Sequence, residues 1–175
     1  MAANKLIMSW AKLKIEIGET GDSDAMATTL TSIGTIKDKS TTMSSEDGDK
    51  LEAKASGGVV VATEEGEPTI TITTRVMEPE FNLEKTLLGA TLNTGNDEAT
   101  IKTNVVSKDY SVKLTPKNIG STGIKARKTH ISYKPGHSEE EGQYVDLTFT
   151  ILACADGELY KKFKVKDADW TSSDV

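Results

Sequence analysis

The stretch TITITTRVM, residues 69–77, constrains this chain more than any other. Ile70, Ile72, Thr74 and Val76 fall on one side of it; Thr69, Thr71, Thr73 and Arg75 fall on the other. A period of two is what a β-strand with one buried face produces. Its neighbours extend the pattern. Upstream, KLEAKASGGVVVATEEGEP reads as a strand, a break at Ser56-Gly57-Gly58, a second strand and an acidic turn. Downstream, Pro79 and Gly89 bracket a helix carrying Phe81, Leu83, Leu87 and Leu88, with proline near its start and glycine past its end. A short helix is therefore expected over residues 79–88.

The same alternation recurs along the chain. Leu13, Ile15 and Ile17 interleave with Lys12, Lys14 and Glu16, and residues 28–36 read as a second strand in which Gly34 marks a bulge or a close approach. Small residues at 51–55 predict another layer close to that strand. Residues 99–105 and the run Tyr110, Val112, Leu114 form an expected hairpin turned at 107–109. Between Ile124 and Tyr133 the apolar phase slips by one residue, which predicts a β-bulge at Arg127 and Lys128. Residues 135–142 read as a polar loop. Val145, Leu147, Phe149, Ile151 and Ala153 then share a face, and Asp156-Gly157 signals a hairpin into a last strand with Leu159, Phe163 and Val165. About eight to ten short strands, turn signals roughly every ten residues and one helix give a mainly β chain, a β-sandwich or barrel. With no internal repeat or composition break, residues 1–175 read as one domain, ending in a short disordered tail at 171–175.

Residues 37–50, KDKSTTMSSEDGDK, hold a single large apolar side chain, Met43. They read as a long polar loop. A loop of that length without internal structure is usually functional or disordered. Two readings stay open: a flexible surface connection, or an arm that orders against a neighbouring copy.

Charge and chemistry narrow the function. The formal net charge is −6, a poor balance for coating nucleic acid, where affinity comes from Lys and Arg neutralising phosphates. The single Cys excludes an internal disulfide and fits a reducing compartment. Residues 1–18 lack the apolar core of a signal peptide, and no apolar run is long enough to cross a membrane. Synthesis and folding in the cytoplasm are expected, without a membrane partner. His130 and His137 have no second ligand at metal spacing. Cys154, placed on the strand face opposite the core, has no neighbour that would lower its pKa. No G-x-S-x-G elbow or phosphate loop is present. The pairs Asp22/Asp24 and Asp47/Asp49 lack calcium-loop spacing, and Glu139, Glu140 and Glu141 read as a solvated run. No enzyme activity, metal or cofactor is expected.

The order of segments then becomes informative. A strand pair, a polar arm, KLEAKASGGVVVATEEGEP and TITITTRVMEPEFNLEKTLLG resemble the major tail tube proteins of bacteriophages, as does GQYVDLTFTILACADGELYKKFKV, similar to their closing hairpin. The resemblance covers roughly residues 12–170 and lies in segment character rather than in an invariant motif. It implies a β-sandwich or barrel flanked by a short helix, six copies joined edge to edge into a ring, and rings stacked into a tube that conducts DNA. The tube of type VI secretion shares that architecture. It implies, further, an arm to the adjacent ring containing Lys37, Lys39, Met43, Glu46, Asp47 and Lys50. Lumen-lining strands would carry Lys50, Glu52, Lys54, Thr69, Thr71, Thr73 and Arg75. The partners would be other copies of the chain, the tape measure, a tail terminator and the baseplate or initiator, with DNA only in passing, and the location a virion or prophage tail. No C-terminal immunoglobulin-like domain is evident, so contractile and non-contractile tails stay open. The alternative is a monomeric β-sandwich that binds carbohydrate or a protein surface.

Overall fold

In a computed structural model, describing residue 10, residues 12–103 and residues 107–170, the alternation at 69–77 becomes a long strand next to one edge of a large antiparallel sheet. Its four expected inward residues, Ile70, Ile72, Thr74 and Val76, are all buried. In chain order the first strands are β1 (Leu13–Glu19), β2 (Thr31–Ser32), β3 (Thr35–Ile36), β4 (Thr42–Glu46), β5 (Lys50–Lys54), β6 (Val60–Glu65) and β7 (Thr69–Met77). Helix α1 (Phe81–Leu88) follows. Then come β8 (Thr91–Leu92), β9 (Ala99–Thr100), β10 (Asp109–Pro116), β11 (Thr122–Ser138), β12 (Gly142–Ile151) and β13 (Lys161–Lys164). Among the described residues the fold is mainly β with one α-helix, as the sequence predicts. The expectations for residues 104–106 and 171–175 lie outside the described residues.

Nine strands make one sheet, in the order β2-β1-β10-β11-β12-β7-β3, with β4 also on β7 and β13 also on β11. The two ends of that order are consecutive in sequence. Residues 28–36, expected as one strand, are two: Thr31 and Ser32 pair with β1, and Thr35 and Ile36 pair with β7. The chain passes from one edge of the sheet to the other through Ile33 and Gly34. A sheet whose edges are bridged by two residues must be curled almost shut, so the architecture is a barrel with a seam. Gly34 has φ +102°, a conformation glycine adopts at little cost, and Ile33 beside it is only 2% exposed.

The interior follows from the alternation. Ile15 and Ile17 of β1, Val112 and Leu114 of β10, Ile124 and Ala126 of β11, and Val145, Leu147, Phe149 and Ile151 of β12 join the β7 residues in one core. Helix α1 adds Leu83 and Leu87 to it. The Tyr110 hydroxyl donates to the Thr86 carbonyl at 2.7 Å, and the Tyr133 hydroxyl to the Glu84 carboxylate at 3.0 Å. The helix ends where Gly89, at φ +64°, donates to the Lys85 carbonyl.

The slip in β11 is the expected bulge. Val112 pairs with Ala126 but Tyr110 with Thr129, so Arg127 and Lys128 together stand opposite Ser111. The fully buried Ser111 hydroxyl donates to the Arg127 carbonyl at 2.8 Å and accepts from the Ala27 amide at 2.9 Å. The bulge therefore leaves that hydroxyl satisfied.

Other expectations need correction. The long loop at 37–50 is not a loop: β4 occupies its centre and pairs with β7 from Thr42↔Thr73 to Glu46↔Thr69. It escaped notice because only Met43 points to the core, while Thr42 and Ser44 face outward. Among the described residues of the hairpin expected over 99–114, β9 pairs with β8 and not with β10. The polar stretch at 135–142 continues β11 to Ser138 before the turn. Asp156-Gly157 does make a tight turn, with the Gly157 amide 2.8 Å from the Cys154 carbonyl. The strand after it, however, rejoins the edge of β11 that β12 has just left and runs in the same direction, so no hairpin closes there. Ala153 is exposed and Cys154 buried, the reverse of the expected phase, because β12 ends at Ile151.

Candidate assembly surfaces

The residues singled out for chemistry do not converge. His130 and His137 are both exposed, and among the described residues no three His, Cys, Asp or Glu side chains are placed to hold a metal ion. Burial pushes the Cys154 thiol up from its ordinary pKa, the opposite of what a thiolate nucleophile requires. Asp24 accepts from the Ala155 amide at 2.9 Å and pairs with Lys128 at 3.1 Å, tying a turn to the end of β12. Glu141 belongs to an ion-pair network described below.

The outward face of β7 is ordered and polar. The Thr73 and Thr42 hydroxyls lie 2.8 Å apart, and those of Thr71 and Ser44 2.9 Å apart. On the other side, register places Thr148 beside Thr73 and Thr150 beside Thr71. Hydroxyls in cross-strand pairs make an uncharged patch. At its end stands Arg75. Its Nε and Nη2 donate to the two oxygens of Asp146 at 2.7 and 2.8 Å, and its Nη1 to Glu141 at 2.7 Å. Lys37 bonds the same Glu141, and the guanidinium lies 4.0 Å from the Tyr144 ring centre. The Arg75 hydrogen bonds hold the Asp146 carboxyl below the usual carboxylate range, and Asp146 raises Arg75 in return. Two cations and two carboxylates close the network within the subunit.

The other candidate strands stand apart from this face. β5 and β6 form a separate two-stranded sheet, paired from Lys50↔Glu65 to Lys54↔Val60. Every residue from 50 to 65 is exposed, so no layer covers residues 51–55. Leu51, Val59 and Val61 are each more than 60% exposed. The residues named for a lumen wall thus divide: Thr69, Thr71, Thr73 and Arg75 lie on the main sheet, and Lys50, Glu52 and Lys54 on the projecting hairpin. Those named for the arm divide too. Lys37 and Lys39 sit in the turn between β3 and β4, and Met43 and Glu46 are in β4, paired with the subunit's own β7. Asp47 and Lys50 lie at the root of the hairpin. The segment free to act as an arm is residues 47–68, about ten residues later than the sequence suggested. Three consecutive valines beside a Gly-Gly tip, with no charged residue among them, are the signal that could have shown it.

Scanned against models of protein families the chain matches none, and no curated protein matches it.

Proposed function

We propose that the chain is the structural subunit of a phage or prophage tail tube, assembling into hexameric rings that stack into a conduit for DNA. The observation that carries this reading is the projecting hairpin. An isolated two-stranded hairpin is at best marginally stable in water, and contiguous exposed apolar residues mark contact sites. β5–β6 combines both features, which is the construction of an arm that becomes covered in an assembly. The outer edge of β4 is a second such place, because among the described residues no strand pairs with it. Unpaired edges invite pairing with another chain, and heterologous contacts that close generate rings.

In this reading Thr69, Thr71, Thr73 and Arg75 belong to the lumen wall. A hydroxyl face whose one cation is paired within the subunit offers phosphates no free positive charge, and a chain of net charge −6 repels them at longer range. Lys50, Glu52 and Lys54 move to the arm. Conduction is passive: no bond is made or broken. Tape measure, terminator and baseplate proteins would contact the ends of the stack.

A carbohydrate-binding module has less support, since exposed aromatic platforms are what such a site needs. The Trp170 and Trp10 indoles are only partly exposed and donate to the Pro116 and Thr122 carbonyls, and Tyr144 lies beneath Arg75. Light scattering across a concentration series, with a glycan array in parallel, separates the two. Concentration-dependent rings and an empty array are expected; a constant monomer mass with clear glycan hits would reverse the assignment.

A further inference from the structure

The barrel seam leaves a second unfilled place. β2 covers the outer edge of β1 only at Glu16 and Ile17, and the Ile33 amide reaches the Ile15 carbonyl at 3.0 Å. Between the start of β1 and the turn at 37–41 lies a groove of about 660 Å³. Its apolar lining is Leu13, Ile36 and the indoles of Trp10 and Trp170, whose N–H groups are turned to backbone carbonyls. Among the described residues its charged lining is Lys12, Lys14, Lys37, Lys39 and the carboxylate of Asp38. Lys14 lies 3.8 Å from Glu16 and Lys37 bonds Glu141, while Lys12 and Lys39 are exposed.

The arm has the complementary composition. Residues 47–68 carry six carboxylates and two lysines, most of the acids at the root: Asp47, Asp49, Glu64, Glu65 and Glu67. Its tip, residues 55–62, is uncharged and ends in Val59, Val60 and Val61. An apolar tip on an acidic root matches an apolar groove with lysines.

The placement matches as well. The groove opens beside the Met77 end of β7, where Thr35 pairs with Met77 and the Lys37 amide donates to the Arg75 carbonyl at 2.9 Å. The arm leaves at the Thr69 end, where Glu46 pairs. The nine residues of β7 separate the two by about 30 Å at roughly 3.3 Å per residue. Donor and acceptor at opposite ends of one strand make a head-to-tail contact, the kind that repeats along an axis.

We infer that the seam groove is the receptor for the β5–β6 arm of a second copy of the chain, the valine tip against the two indoles and the acidic root against Lys12 and Lys39. The inference rests on the tube reading in that both require self-association, but it names which surfaces meet.

The test uses the full chain with Cys154→Ser as background. Glu64→Cys and Lys39→Cys proteins are mixed under mild oxidation, with Glu139→Cys replacing Lys39→Cys as control. A disulfide dimer in the first mixture and little in the control is expected. If the parent protein assembles but the first mixture does not cross-link above the control, the groove is not the receptor and the tube reading survives. If nothing assembles and nothing cross-links, both fall. Charge reversal gives a second readout. Lys12→Glu with Lys39→Glu should weaken association about tenfold or more at about 0.15 M salt, and adding Glu64→Lys with Glu65→Lys should restore it. Unchanged association in variants with unaltered thermal melts overturns the inference.

Discussion

Phe149 and Leu147 are fully buried in the centre of β12, packed among Ile72, Val76 and Ile131. Phe149→Ala should cost about 3–5 kcal/mol, a large share of the roughly 5–15 kcal/mol that holds a domain folded. Urea unfolding measures it directly. Glu84 is 4% exposed and receives the Tyr133 hydroxyl, so Tyr133→Phe removes a donor from a buried carboxylate at about 1–3 kcal/mol. A change below a few tenths would mean that water reaches Glu84. Asp146 gives a pH dependence. Its folded pKa lies below the unfolded carboxylate value of about 3.9 because Arg75 bonds it. Its stabilisation is therefore fully present above about pH 4 and is lost as pH falls through the folded value. Urea midpoints between about pH 5 and pH 2 should fall less steeply in Asp146→Asn than in the parent. Equal slopes would show that the Arg75 pair contributes nothing.

Elements built on apolar alternation were legible in the sequence, and those built on hydroxyls were not. β7 and β12 carry four inward apolar or small residues each at strict period two. The β11 bulge shows itself as a phase slip between Ala126 and Ile131. β4 has one inward apolar side chain, Met43, and is held instead by backbone pairing and by Thr42 and Ser44 hydroxyls, which composition alone assigns to a loop. Pairing partners were equally hidden. Asp156-Gly157 looks like a hairpin turn in any context, and only the register on β11 shows that the chain leaves an edge and rejoins it. The hairpin β5–β6 was legible as two strands but not as a free arm, because exposure on both faces leaves no distinctive period. Since it buries nothing in its own subunit, replacing residues 50–65 with a short Gly-Ser turn should leave the thermal midpoint within a few degrees. The same deletion should abolish concentration-dependent sedimentation. A collapse of the fold would show that the arm is part of the domain.

At the scale of the whole molecule, the barrel is closed by the two-residue passage through Ile33 and Gly34, and what remains open is arranged for contact. The arm leaves one end of β7, the seam groove opens at the other, and β4 presents an unpaired edge between them. The central claim is that these features make the subunit a repeating unit of a tube. Negative-stain electron microscopy of the concentrated full-length protein tests it most directly. The account predicts rings that stack into tubes with a stain-filled lumen. A monodisperse monomer at every concentration, forming neither rings nor tubes even when tail initiator proteins are supplied, would contradict it.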